Sequence, residues 1–445
     1  MSEALPFVGR GNRLERLFVW LIFCHYLVYE VFYFFYPQYY PRLAVFTTVW
    51  KITIPVFLLA VIAPRHIAAL RRSPPLTYAL MYFVLFWLWA LIPSLTSSAA
   101  LIEWAKLFPR LAFFAAIALL FVRVPRACLS VAKLVVAWGV LSVGQWALVY
   151  LTSSFVDPAP FAWGGLRAGP WGLFGNITSM MIFPSLPVPF VRLAGFWNEP
   201  SNASASLFSG WFLARWIACF APERRWVWAG RLCLVGGFLC LSNAGYLAIG
   251  MALLVGAGLR SRARTTRKVL LVTIAGLLVA GALVGRLYVA EHFPDNTLVR
   301  ALAGLREDPE DVLQGGWNTA LGGRLTLLQD ALARVRATPL GEGMIPVTND
   351  GPSTMSASAP VAWLLQVGPL GLLFLLLRDA WTWRAMIASR ESRLVLLAGQ
   401  AFVVVAIQQI SYGSWMNPLF FITSATVIAT ASWVRRGDLP AGVRA

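Results

Sequence analysis

Apolar runs of spanning length alternate with short polar breaks along most of the chain. A helix that crosses a bilayer needs about 20 consecutive, mostly apolar residues. Runs of this kind predict helices near 14–36, 43–63, 76–93, 107–122, 127–151, 200–221, 226–241, 243–259, 268–290, 358–377, 394–412 and 416–434. The expected fold is all-α: a polytopic integral membrane protein of about 12 transmembrane helices. It forms one transmembrane domain over residues 1–445. The runs at 226–241 and 243–259 are short and are separated by LSNAGY (Leu241 to Tyr246), so a re-entrant hairpin is the other reading there. The first run follows Arg10, Arg13 and Arg16. It exceeds the roughly 7–15 apolar residues of a signal-peptide core, and it reads as a retained span.

The polar breaks carry a sign pattern. Arg65, Arg71 and Arg72 fall in one break, Arg123 and Arg126 in the next but one, then Arg224, Arg225 and Arg231. Arg260, Arg262, Arg264, Arg267 and Lys268 follow, then Arg378, Arg384, Arg390 and Arg393, and finally Arg435 and Arg436. Every second break is basic. Because cytoplasmic loops collect Lys and Arg, both termini are expected on the cytoplasmic side. Two outer loops are long: residues 152–199 and 291–357, both rich in Gly, Pro, Trp and Asn. The second contains GRLTLLQDALARVRAT, with Leu325, Leu327, Leu328, Ala331, Leu332 and Val335 at helical spacing. That spacing predicts an amphipathic helix at the outer membrane face.

Composition agrees. The chain is 59% hydrophobic and 13% charged, against about 25% charged in soluble domains. A net charge of +18 would suit nucleic acid, but the basic residues sit in clusters between apolar runs, so no nucleic-acid partner is expected. Cys24, Cys128, Cys219, Cys233 and Cys240 lie in or beside apolar runs and imply no disulfide framework.

Candidate chemistry concentrates in the outer loops. Arg167, Arg192, Arg300, Arg306, Arg324, Arg334 and Arg336 are outer arginines. A guanidinium stays charged and offers a planar fork to phosphate. The plainer account of each is headgroup contact or pairing with Glu307, Asp308, Glu310 or Asp311. Arg192 opens RLAGFWNEPSNASA, in which Pro200 suits a first helical turn. Asn198 and Glu199 thus precede a helix N-terminus, where the dipole favours anions. Glu199 serves there as a helix-start carboxylate or as a base. Asn349 and Asp350 are weaker candidates in the second loop, and so is His292, which a solvated loop position would equally explain. Glu30 and Lys51 are expected to pair near the outer face. Neither loop holds a D-x-D pair, and no nucleotide or zinc signature appears. Neither a metal nor a cofactor is expected.

Three segments carry a resemblance: RLAGFWNEPSNASA, LSNAGYLAIG, and the block from Arg324 to Gly371 with GGRLTLLQDAL, TPLGEGM and SASAPVAWLLQVGPLGLL. In order and placement they resemble the bacterial O-antigen polymerase and ligase superfamily (Wzy/WaaL-like). The resemblance implies a glycosyltransferase of the bacterial inner membrane with its active site on the periplasmic side. It would polymerise undecaprenyl-diphosphate-linked glycan repeats for a surface polysaccharide such as lipopolysaccharide O-antigen. It also implies membrane lipids and a chain-length regulator protein as partners. Arg192 and Arg324 would clamp the diphosphate, with Arg167 helping, and Glu199 would handle the acceptor hydroxyl. Ligases of this superfamily carry a histidine in the polar stretch before the late span. Here VTNDGPSTMSASAP has none, which favours a polymerase over transfer to lipid A core. A lipid-linked glycan flippase is the reading from another class.

Overall fold

The computed structural model describes residues 13–30, 41–156, 193, 197, 200–240, 242–260, 288, 291–292, 332–344, 359–412 and 417–439. Among them all regular structure is helical: α1 (Arg13–Glu30), α2 (Pro41–His66), α3 (Ala68–Arg72), α4 (Pro74–Ser94), α5 (Ser98–Ala105), α6 (Leu107–Arg123) and α7 (Pro125–Val156). After the first long loop come α8 (Pro200–Phe220), α9 (Arg224–Leu239) and α10 (Asn243–Arg260), and then α11 (Ala359–Ala388), α12 (Arg393–Tyr412) and α13 (Pro418–Arg436). The run at 268–290 and most of both long loops lie outside the described residues, apart from Tyr288 in that run.

Among the described residues, five stretches are long and apolar enough to cross a membrane: Val45–His66, Pro74–Ser94, Ser98–Arg123, Pro125–Leu148 and Pro360–Ala388. Ala244–Arg260 and Arg393–Gln409 are shorter apolar helices. The outside of the bundle is apolar where lipid would be. Val45, Phe46, Val49, Ile52, Val56 and Phe57 of α2 are exposed, as are Met81, Val84, Leu85 and Leu88 of α4.

Helices that fall short of that apolarity are partly explained by burial. In α13 every residue from Pro418 to Trp433 is buried, so it meets protein on all sides and tolerates hydroxyls. Thr423, Thr426, Thr430 and Ser432 each donate to a carbonyl one turn back, at 2.7–2.9 Å. Hydroxyl contacts also run outward, from Ser424 to Thr382 at 2.8 Å and from Ser432 to Ser73 at 2.8 Å. Small and hydroxyl residues let helices approach closely and bond across in a membrane. Both ends of α13 are capped. Asn417 Oδ1 accepts from the Leu419 N–H at 2.7 Å, Pro418 fills the first turn, and Gly437 adopts φ 70° at the C-terminus. The same logic covers α8, whose Ser201, Ser204, Ser206 and Ser209 are buried.

One end of the bundle gathers the basic residues. The indole N–H of Trp433 and the guanidinium of Arg436 both donate to the Val122 carbonyl, at 3.2 and 3.0 Å. Trp216 near the end of α8 meets Trp433 at 6.3 Å. Lys133 of α7 lies over Trp226 of α9. The ends bearing Arg13, Arg65, Arg123, Arg224, Arg260, Arg393 and Arg436 therefore face one way.

The structure corrects two details. Residues 98–105 are a helix and not part of a plain loop; the Ser97 hydroxyl caps it by accepting from the Ala100 N–H at 3.1 Å. The expected span 358–377 continues to Ala388, so Arg378 and Arg384 belong to α11 and not to a loop. Arg378 is 2% exposed. Its Nε donates to Asp379 Oδ1 at 2.7 Å, and its guanidinium stands 5.0–5.9 Å from the rings of Phe83, Phe420 and Phe421. An adjacent carboxylate and an aromatic wall replace the water a loop would provide.

This pair yields a prediction. Arg378→Met removes the cation bonded to the buried Asp379 carboxylate. It should destabilise the detergent-solubilised protein by about 3–5 kcal/mol, read as a lowered thermal unfolding midpoint. The double variant Arg378→Met/Asp379→Asn should recover most of that loss.

Candidate functional site

The segments that carry the resemblance lie at helix ends opposite the basic ones, in two separate groups. The clearest element is a break in α11. Gly368 has φ 68° and ψ −179°, and Pro369 follows it. In an unbroken helix the Leu365 carbonyl would accept from residue 369, but proline has no N–H. The turn at Gly368 also removes Gln366 and Val367 from their helical donors. Polar backbone freed inside an apolar span needs protein partners.

Those partners come from far away in sequence. The Glu342 N–H donates to Leu365 O at 2.8 Å and the Gly343 N–H to Gln366 O at 3.0 Å. The Trp89 indole of α4 donates to Val367 O at 2.8 Å. The Met344 N–H donates to Ser94 Oγ at 3.3 Å. Thus the Gly-Glu-Gly loop sits between the end of α4 and the break in α11. Gly341 and Gly343 have φ 99° and 90°, a backbone region that glycine enters without penalty. The fit is close: a Cβ on Gly341 would lie 2.5 Å from Gln366 O, on Gly343 2.6 Å from Pro93 O, and on Gly368 2.4 Å from Pro339 O.

The loop is held from its other side by residues 332–337, the described part of the expected amphipathic helix. Val335 is buried against Leu365, Val361 and Leu364. Arg334 forks onto Glu342, with Nε to Oε1 at 2.8 Å and Nη2 to Oε2. Leu332, expected on the apolar face of this helix, is exposed.

The other two segments pair with each other. The Leu193 N–H donates to Leu239 O at 3.1 Å, fixing the lead-in to α8 against the end of α9. Gly245 of α10 lies so close to α8 that a Cβ there would be 2.3 Å from Ser204 Oγ. The Ser242 hydroxyl accepts from the Gly245 N–H at 3.2 Å. Helix α12 joins them through Gln408, which donates to Asn202 Oδ1 at 3.0 Å. Two buried polar atoms here, Trp197 Nε1 and Gln409 Oε1, have no hydrogen-bond partner among the described residues.

Arg167, Arg192, Asn198, Glu199, Arg324, Asn349 and Asp350 lie outside the described residues. Their immediate neighbours Leu193, Trp197 and Pro200 are described, and the first two are buried. His292 is exposed on the helical residues 291–292, with Nδ1 3.1 Å from Tyr288 O and its ring stacked on Tyr288 at 4.0 Å. Nothing among the described residues brings it to the glycine loop. Lys51 stands over the Tyr29 ring at 4.7 Å; the side chain of Glu30, its expected partner, is outside the described set. In the sequence, Glu342 and Gly368 stand out only within the motifs of the resemblance, TPLGEGM and SASAPVAWLLQVGPLGLL, and nothing there marks Trp89 as their partner. The Gly-Pro step at 368–369 inside an apolar run was the available sign of a break.

No protein-family model matches the chain, and no curated protein matches it.

The glycine loop predicts a graded series. Gly341→Ala, Gly343→Ala and Gly368→Ala each combine left-handed backbone strain of about 1–2 kcal/mol with a backbone clash. Each should lower the unfolding midpoint more than Gly437→Ala. Gly437 has φ 70° but meets nothing within 4 Å, so that variant carries the backbone strain alone.

Proposed function

We propose that this chain is a membrane glycosyltransferase that polymerises lipid-diphosphate-linked glycan repeats on the outer side of the bacterial inner membrane. The observation that carries the reading is the interlock of TPLGEGM with the break at Gln366–Gly368. Two segments of the Arg324-to-Gly371 block, both C-terminal in sequence to the proposed arginine, dock against each other. The pairing of the α8 lead-in with the α9–α10 junction supports it in the same way.

In this reading, one lipid diphosphate carries the growing glycan. The hydroxyl at the non-reducing end of a second, lipid-linked repeat attacks the anomeric carbon. A new C–O glycosidic bond forms as the C–O bond to the diphosphate breaks. The electron pair leaves with the diphosphate, and the hydroxyl proton passes to the carboxylate of Glu199. Arg192 and Arg324, helped by Arg167, hold the departing charge, and the α8 N-terminus adds its dipole. Asn198, Asn349 and Asp350 orient the acceptor. A single direct displacement inverts the anomeric centre. No step in this scheme calls on a metal or a cofactor. Transfer to another acceptor, as in a ligase, is the same chemistry with a different hydroxyl, and the missing histidine in VTNDGPSTMSASAP weighs against it.

The purified protein, reconstituted with a lipid-linked repeat and no other acceptor, should elongate it into a ladder of products on a gel. Arg192→Ala and Arg324→Ala should each leave single-repeat material while membrane levels stay normal. Full-length polymer from both variants would remove the proposed site. Failure of the wild-type protein to elongate would leave the ligase or flippase reading in its place.

A further inference from the structure

The basic end holds a cavity that the glycosyl-transfer reading does not use. Arg215, Arg260, Glu391, Arg393 and Leu396 line a space of about 500 Å³. The arginines come from three helices, α8, α10 and α12. Arg215 is no loop residue placed by topology alone. It sits inside α8, five residues before Phe220, with its guanidinium over the Trp211 ring at 5.2 Å. Arg393 is the first residue of α12, where the helix dipole already contributes positive potential. A cation gains nothing from that helix end.

The helices that carry these side chains are tied to one another by direct bonds along their length. Gln400 Nε2 of α12 donates to Ala252 O of α10 at 3.1 Å, and Gln408 of the same helix bonds Asn202 of α8. Gly256 of α10 lies so close to α12 that a Cβ there would be 2.2 Å from Gln400 Nε2. Three guanidinium groups are therefore presented to one space by helices whose spacing is set. Against them stands one lining carboxylate, Glu391, and no ion pair joins it to any of the three among the described residues. The sequence beyond Arg260 adds Arg262, Arg264, Arg267 and Lys268 and no acid. An excess of convergent positive charge around a cavity at a helix N-terminus matches a phosphate group in charge and in donor geometry. Leu396 supplies an apolar wall for whatever carries that phosphate.

We propose that this cavity is an anion site that binds a phosphate group, carried by an anionic lipid headgroup or by a soluble phosphate. The site is separate from the proposed transfer centre and stands whether or not that reading does.

The test uses the full-length protein in a nonionic detergent, with thermal unfolding followed at constant ionic strength. Short-chain phosphatidylglycerol, short-chain phosphatidylcholine and sodium pyrophosphate are titrated separately. A rise in midpoint with phosphatidylglycerol but not with phosphatidylcholine or pyrophosphate assigns a lipid headgroup. A rise with pyrophosphate assigns a soluble phosphate. Arg215→Gln/Arg393→Gln should weaken the response about tenfold or more. Arg71→Gln/Arg72→Gln, at the same end but outside the cavity, should respond as wild type. Glu391→Gln removes the opposing charge and should tighten binding severalfold, which decides the matter if the double arginine variant does not fold. No midpoint shift with either anion, equal loss in both arginine pairs, or an unchanged Glu391→Gln would overturn the proposal.

Discussion

A carbonyl inside an apolar span must find a donor, and α11 leaves three carbonyls in need of one. The break at Gly368 and Pro369 cannot be satisfied by α11 itself. Glu342, Gly343 and Trp89 supply the missing N–H groups. From this one constraint follow the left-handed glycines, the close seating of the loop on α4, and the fork of Arg334 onto Glu342. The loop stabilises the break, and the break in turn seats the loop from the side opposite α4. Removing either side exposes the polar backbone of the other.

The two ends of the bundle are built on different chemistry. At the motif-bearing end, contacts are close and rich in glycine, serine and amide groups, as where Gly245 meets Ser204 and Gln408 meets Asn202, with the Arg334–Glu342 fork among them. At the other end, arginines dominate and stack on indoles, as Arg215 does on Trp211 and Arg384 on Trp381. Between them run helices whose polarity follows their surroundings. Helix α2 exposes Val45, Val49 and Ile52 outward, while α13 buries threonines along its whole length.

Much of this architecture is legible in the chain. Apolar runs locate the helices to within a few residues, because length and hydropathy are local properties. The end of α11 is not legible that way. A run was expected to stop at Arg378, since a lone arginine usually marks water. What keeps it in the helix is a carboxylate next door and aromatic rings from residues 83, 420 and 421, which no local window contains. The glycine loop is hidden for the same reason: Glu342 and Leu365 are bonded across a long stretch of intervening chain. Of the candidate site, the surrounding framework is described at Leu193, Trp197 and Pro200. The chemistry assigned to Arg192, Glu199 and Arg324 rests on the motif resemblance.

The enclosure of Arg378 has a bearing on biosynthesis. Its aromatic wall comes from α4, made before α11, and from α13, made after it. A nascent chain that has released α11 but not yet α13 therefore holds a half-covered cation among apolar segments. Arrival of α13 closes that gap, so the cover over Arg378 is completed only after α11 has already been made.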